Sequence, residues 1–107
     1  MLHQALANGS WQKLSLMEQM GNIGSEVSRA TKWQGKDESL FSGAILRALE
    51  LFDLTLDDPR WIGRRREIAR AHEVFCDAIS GGAEYQSSLA DLDRYFFHFA
   101  LAARRER

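Results

Sequence analysis

His72 is the polar residue most suggestive of chemistry, because it occupies a position on an apolar stripe. Ile68, Phe75 and Ile79 surround it at helical spacing, so a helix here turns the imidazole toward the core. A buried polar group without a hydrogen-bond partner costs roughly 1–3 kcal/mol. His72 is therefore either a core histidine satisfied by a neighbouring helix or by water, or a functional general acid or base.

Arginines cluster just before His72. The cluster comprises Arg60, Arg64, Arg65, Arg66 and Arg70. A planar guanidinium makes bidentate contacts with phosphate or carboxylate, so we predict an anion-binding site at Arg64, Arg65 and Arg70. The alternative is a solvated helix face on which these arginines pair with nearby acids such as Glu67.

Other common catalytic patterns are missing from the sequence. The three histidines, at positions 3, 72 and 98, and the single cysteine, Cys76, show no paired-ligand spacing, so we expect no metal site. The sequence also lacks a Gly-rich phosphate loop and a Gly-x-Ser-x-Gly elbow, and we expect no cofactor. Cys76 fits a small core residue. These observations favour a protein without catalytic activity.

The last predicted helix has more aromatic residues than one apolar stripe needs. Residues 95–99 have the sequence Tyr-Phe-Phe-His-Phe, and consecutive positions point all round a helix. When two of these rings fill the core, Tyr95 or Phe97 faces outward. With Trp61, these residues predict an interface. A homodimer is our first hypothesis, a different partner protein the second and a closely packed monomer the third.

Capping patterns predict where the first two helices begin. Ser15 and Glu18 have the spacing of a capping box, and Gly35 is a suitable stop for the helix that follows. Asp37 or Ser39 caps a second helix, which we expect to end near residue 55.

Two further helices are predicted in the second half of the chain. Asp58 and Pro59 place a carboxylate at the cap and a proline at the first position of the third helix, which stops at residues 81–82. The last helix opens at residues 87–88, with Asp91 in its first turn.

These elements predict an all-α fold. No segment alternates apolar and polar residues with β-branched side chains, so we predict no strand. A chain of 107 residues forms one domain, and four helices with short linkers pack as an up-down-up-down four-helix bundle. We assign residues 15–107 to this bundle and residues 1–14 to an N-terminal arm or short extra helix.

Composition restricts the environment and the partners. The net charge is −1, so the whole molecule has no electrostatic preference for a nucleic acid or an anionic membrane. One cysteine excludes an internal disulfide. The sequence shows neither a signal peptide nor an apolar run of about 18 residues. We therefore expect a soluble, cytoplasmic protein with no membrane association.

The predicted bundle resembles small prokaryotic helical bundles of the HEPN group and the related nucleotidyltransferase substrate-binding subunits. HEPN ribonucleases carry an Arg and a His separated by four to six residues, and Arg66 and His72 have this spacing. The resemblance implies a dimer with two Arg/His pairs in one cleft, in which His72 is the general acid or base and Arg66 stabilises phosphate charge during metal-free RNA cleavage. A related subunit without nuclease activity would instead dock a nucleotidyltransferase partner.

The leading hypothesis is a cytoplasmic helical-bundle protein that dimerises and acts as an interaction module without catalytic activity. The alternative is a HEPN-like metal-free ribonuclease or RNA-binding protein that uses Arg66 and His72. A third hypothesis is a small-ligand pocket between helices around His72.

Overall fold

The computed structural model describes residues 9–81 and 88–105. Within these ranges the chain forms four α-helices and no strand. The helices are α1 (Leu16–Trp33), α2 (Glu38–Leu56), α3 (Arg65–Ile79) and α4 (Leu89–Arg105). The predicted all-α bundle is confirmed. Of the N-terminal arm or short extra helix expected over residues 1–14, residues 1–8 lie outside the described residues, and Trp11–Lys13 form a 3-10 helix.

Three of the helices begin at side-chain caps that the sequence predicted. At α1, Ser15 Oγ accepts a hydrogen bond from the Glu18 backbone at 3.1 Å, and the Glu18 carboxylate accepts one from the Ser15 backbone at 3.0 Å. Asp37, and not Ser39, caps α2. Ser88 accepts a hydrogen bond from the first turn of α4. Each cap satisfies backbone donors that the first turn leaves without partners.

The segment before α3 differs from the prediction. Pro59–Arg64 forms a 3-10 helix, and the α-helix begins only at Arg65. Asp58 therefore caps the 3-10 helix and not α3. The backbone departs from helical geometry at Trp61 (φ −104°, ψ 20°), whose indole N–H donates to the buried side chain of Gln19 at 2.8 Å. This tertiary contact occurs together with the 3-10 helix, and the local sequence alone did not indicate the contact.

α1 runs antiparallel to α4. Near the end of α1, Thr31 donates a hydrogen bond to the Leu89 carbonyl at the start of α4 (3.4 Å). Near the start of α1, Gly21 faces the backbone of Ala100, which lies in the last part of α4. Between these points, Gly24 lies directly against Phe96. Small residues on α1 thus allow the two helices to approach closely.

α2 runs antiparallel to α1 and to α3. Trp11, which precedes α1, donates its indole N–H to Thr55 near the end of α2 at 3.2 Å. Arg65 at the start of α3 donates to the carbonyl of Leu56, the last residue of α2, at 3.0 Å. Successive helices therefore alternate in direction, as predicted for an up-down-up-down bundle.

The core lies on the inner faces of all four helices and includes the segment before α1. The largest apolar side chains that are almost wholly buried are Trp11, Phe52, Phe75, Phe96, Met20, Ile23, Ile68 and Val27. Burying a large apolar side chain contributes roughly 1.5–3 kcal/mol, so these residues dominate the stability of the bundle. Among the described helices, none has both the length and the apolar content needed to cross a membrane.

Replacing Gly24 by Ala should destabilise the fold. A Cβ at this position would stand 2.6 Å from the Phe96 Cβ, so α1 and α4 would have to separate. Overpacking destabilises a folded protein by about 1–3 kcal/mol. The higher helix propensity of Ala than of Gly stabilises the helix by only about 1 kcal/mol. We expect a lower free energy of unfolding in a urea titration.

Gly21→Ala is the matched control, because its Cβ would meet the nearest Ala100 atom at an ordinary 3.4 Å. We expect this variant to be as stable as the parent or slightly more stable. A Gly24→Ala protein that matches the control would contradict the α1–α4 spacing described above.

Candidate functional site

An open groove of about 330 Å³ lies between α3 and α4. Its apolar walls are Ala71, Val74, Leu92 and Tyr95, and its charged rim is Glu67, Arg70 and Asp91. We refer to these seven residues as the α3–α4 groove. The groove exists because α3 and α4 approach each other much less closely than α1 approaches its two neighbours. Its volume lies in the range of about 300–1,000 Å³ that is typical of small-ligand sites.

Tyr95 forms one wall of the groove and is the aromatic residue in it. Its ring meets those of Phe96 and Phe99 edge-on, with centroids 5.2 and 5.3 Å away, and 39% of the residue is exposed. Burial raises the pKa of the Tyr95 hydroxyl, and the Glu67 carboxylate raises it further, while Arg64 opposes the change. Tyr95 is therefore a neutral phenol at physiological pH, with an apolar ring and a polar tip.

The three predicted interface residues lie at separate places. Phe97, 56% exposed, is two positions after Tyr95, and two residues turn a helix by about 200°. It therefore lies on the opposite flank of α4. Trp61 is half-buried, with its N–H on Gln19 and the Arg60 guanidinium 4.4 Å from its ring centroid. The role of all three residues in an interface stays a prediction.

His72 lies on the face of α3 that meets α2. Its ring packs edge-on against Phe52, with a centroid distance of 5.1 Å, and its Nε2 is 3.8 Å from the Cys76 Sγ. Sequence reasoning did not pair these two residues, although their four-residue spacing on one helix places them together. The half-buried position next to core aromatics fits the core-histidine alternative, and a catalytic role stays a prediction.

The Cys76 thiol is not an activated nucleophile, although a histidine is beside it. Burial raises the pKa of the thiol, and the Asp53 carboxylate raises it further. The thiolate is the reactive form of cysteine, so the neutral thiol predominates near pH 7. This environment is the reverse of the electropositive one that activates a catalytic cysteine.

Cys76 should consequently react slowly with iodoacetamide at pH 8. Each unit by which its pKa is raised lowers the thiolate fraction at that pH roughly tenfold. The same chain unfolded in urea is the control and should react at the rate of an ordinary thiol. Equal rates for the folded and unfolded chains, measured by mass spectrometry, would contradict the raised pKa.

Arg66 does not converge with His72 in the single chain. Six residues turn a helix by about 600°, which leaves the two side chains about 120° apart around α3. Arg66 is exposed and lines an open cavity of about 650 Å³ together with Arg64, Arg70 and Glu73, and His72 does not line this cavity.

The predicted anion-binding arginines have protein partners of different kinds. Arg64 pairs with Glu67 at 3.0 Å, and Arg65 donates to the Leu56 carbonyl at 3.0 Å. Arg70 lies at the rim of the α3–α4 groove. The partners found for Arg64 and Arg65 fit the solvated-face alternative, and anion binding by these three residues stays a prediction.

A buried polar network joins the start of the chain to the segment before α3, and Gln19 is at its centre. The Gln19 amide donates to the Trp11 carbonyl at 2.9 Å and to the Asp58 carboxylate at 3.1 Å, and it accepts the Trp61 N–H at 2.8 Å. A buried amide is stable only when its donors and acceptor have such partners. The network therefore fixes three separate segments against one another.

Asp58 is the charged member of this network and is 1% exposed. Arg60 makes a two-pronged contact with its carboxylate, at 3.0 Å from Nε and 2.7 Å from Nη2, and the same Nη2 donates to the Leu14 carbonyl at 2.7 Å. These bonds lower the pKa of Asp58 from 3.8 to about 2 against the opposing effect of burial, with smaller contributions from the Arg60 backbone N–H and from Gln19. Because the carboxylate is occupied within the chain, we interpret the network as structural.

Asp58→Asn should remove a pH-dependent part of the stability. A pKa of about 2 in the folded state against 3.8 in the unfolded state corresponds to about 2 kcal/mol. Because the folded pKa is the lower one, this contribution is complete above about pH 4 and is lost as the pH falls toward 2. The variant should be at least about 2 kcal/mol less stable at pH 7, and its stability should vary less between pH 4 and pH 2.

Asp57→Asn is the control, because Asp57 is the exposed neighbour of Asp58. The free energy of unfolding is measured by chemical denaturation at a series of pH values. An Asp58→Asn protein with the same acid dependence as the parent would show that the carboxylate is not held as described.

The buried polar residues of α1 were missed at the sequence level. Gln19 and Glu26 follow the buried apolar residues Leu16 and Ile23 of α1 by three positions, which places them on the edge of the buried face. That spacing was visible in the sequence. What it could not give is the partner on another element that makes burial of each polar group favourable.

Comparisons with known proteins returned no match: no family model, no curated protein and no solved structure is similar to this chain. Within residues 9–81 and 88–105, no three His, Cys, Asp or Glu side chains group together in a way that could hold a metal ion. A function for this chain is therefore inferred from its own geometry, and the HEPN resemblance stays a prediction.

Proposed function

We propose that this protein is a helical-bundle interaction module without catalytic activity, which pairs with a second copy of itself through the α3–α4 groove. The observation that carries the proposal is the groove itself, which is open to solvent between two helices of one core: Ala71 and Leu92 are buried in it, and the Tyr95 ring is 39% exposed at its wall. Apolar surface removed from water contributes roughly 25 cal/mol per Å². A partner that fills the groove completes the packing that α3 and α4 leave unfinished.

The charges on the rim support a second copy as the occupant. Glu67 and Asp91 are acidic and Arg70 is basic. In a two-fold dimer a residue away from the axis meets a different residue of the partner, so a rim with both signs can form complementary pairs across the axis. A rim of a single sign would repel its own copy.

Tyr95 supports the same interface. Tyrosine is enriched at protein interfaces because its ring buries a large apolar area at little cost in side-chain entropy and its hydroxyl can form a hydrogen bond. Within the described part of the chain, the Tyr95 hydroxyl makes no hydrogen bond. A residue from the partner chain would supply that bond.

The arrangement of the possible catalytic groups supports a module without catalytic activity. The Cys76 thiol has a raised pKa, and Arg66 and His72 point in different directions from α3. The ribonuclease alternative requires Arg66 and His72 to act on one phosphate. Within a single chain, neither the spacing nor the packing brings them to one point.

Tyr95→Glu should weaken the dimer by roughly tenfold or more, because it places a carboxylate in the apolar groove, which has the acidic residues Glu67 and Asp91 on its rim. Phe97→Glu is the matched control: it is the same type of substitution on the same helix, on the opposite flank. It should leave association nearly unchanged. The dissociation constants are measured by sedimentation velocity over a range of micromolar concentrations.

Two results would contradict the proposal. A parent protein that remains monomeric throughout this concentration range would exclude self-association. A dimer lost in Phe97→Glu but kept in Tyr95→Glu would place the interface on the other flank of α4. Incubation with RNA addresses the enzymatic alternative, because cleavage by the parent that is lost in His72→Ala would establish it in place of our proposal.

A further inference from the structure

Glu26 is a buried carboxylate that holds two arginines from different helices. Its Oε2 accepts a hydrogen bond from Arg29 Nη1 at 2.7 Å, and its Oε1 accepts one from Arg47 Nε at 3.1 Å. Arg29 lies one turn further along α1, and Arg47 belongs to α2. Because both guanidiniums bond to one carboxylate, they are necessarily adjacent.

Most of the donors on this arginine pair remain available. A guanidinium has five N–H donors, and within the described residues each of the two uses a single donor, on Glu26. The Arg29 side chain is 57% exposed and that of Arg47 is 34% exposed. The three groups together carry a net charge of +1, so the exposed side of the pair is positive.

Two features make the pair of Arg29 and Arg47 suitable for binding a ligand. The carboxylate fixes both guanidiniums before any ligand arrives, which lowers the side-chain entropy lost on binding. On α2, Gly43 lies one turn before Arg47, and a Cβ there would stand 3.4 Å from Arg47 Nη1. The absence of a side chain at Gly43 therefore leaves the Arg47 guanidinium uncovered on that side.

We propose that Arg29 and Arg47 form a binding site for a phosphate monoester. A guanidinium matches the geometry of phosphate oxygens, and two of them offset the two charges of a monoester dianion. A phosphodiester has only one charge and fewer terminal oxygens, so it is the weaker ligand. This site is separate from the α3–α4 groove and does not depend on the proposed dimer.

Phenyl phosphate is the probe for this site, in a titration of ¹⁵N-labelled protein followed by NMR at low ionic strength. We expect saturable shifts of the Arg29 and Arg47 side-chain resonances with a dissociation constant of about 1 mM. Dimethyl phosphate should bind at least about tenfold more weakly. Phenyl phosphate binding should also weaken below about pH 6, where the monoester dianion takes up one proton and becomes a monoanion.

Arg29→Gln should weaken phenyl phosphate binding at least about tenfold, and Arg29→Lys should give an intermediate loss because it keeps the charge but not the fork of donors. Arg94→Gln is the matched control, since Arg94 also pairs with an acid three residues earlier, Asp91, and is exposed. It should bind as the parent does. Arg29 is largely exposed, and unchanged unfolding temperatures without ligand will confirm that its variants fold.

Three outcomes would overturn the site. The first is the absence of saturable shifts up to about 20 mM phenyl phosphate. The second is an equal loss in Arg29→Gln and Arg94→Gln, which would show general attraction of anions to surface arginines. The third is equal affinity for dimethyl phosphate, which would exclude the monoester as the preferred ligand. If inorganic phosphate binds as phenyl phosphate does, the site recognises the phosphate group and not the ester substituent, as proposed.

Discussion

The buried carboxylate of Asp58 is the constraint on which the rest of the structure depends. Its bonds to Arg60 and Gln19, and through them to the carbonyls of Leu14 and Trp11, tie the segment before α1 to the segment before α3. Leaving such a charge buried without partners would cost several kcal/mol. The two segments therefore stabilise each other, and the contact between them sets the direction in which the chain enters α3.

That entry direction has a consequence at the other side of the bundle. α1 packs closely along α2 and α4, helped by Gly24 against Phe96. α3 follows the 3-10 helix Pro59–Arg64 and lies against α2 through His72 and Phe75, both of which meet the ring of Phe52. It meets α4 only sparsely. The α3–α4 groove is the space that results, and this is why we place association there.

Local patterns in the sequence were sufficient to predict the helices. The Ser15–Glu18 capping box and the Asp37 cap act within one turn, so short-range spacing reveals them. The 3-10 helix before α3 contains Trp61, which bonds to Gln19, 42 positions away in the sequence. Contacts of that range are not encoded in any window of the sequence, so the start of α3 was predicted six residues too early.

For the candidate sites, too, short-range patterns could be predicted from the sequence and long-range contacts could not. Sequence reasoning identified Tyr95 and the arginine cluster by residue type, but only the packing shows that Tyr95, and not Phe97, lines the α3–α4 groove. Glu26 was overlooked, although it is three positions after the buried residue Ile23. Its burial is favourable because it pairs with Arg47, which belongs to another helix. Residue type and periodicity predict which side chains are unusual, and the tertiary fold determines which of them meet.

Pairing of two copies through the α3–α4 groove is the central functional claim, and intermolecular NOEs test it most directly. A mixture of ¹³C-labelled and unlabelled chains, examined with an isotope-filtered experiment, reports only contacts between copies. We expect NOEs that connect Tyr95, Val74 and Leu92 to the partner chain. An equimolar mixture at millimolar concentration that gives no intermolecular NOE at these residues, or gives them only around Phe97, would contradict it.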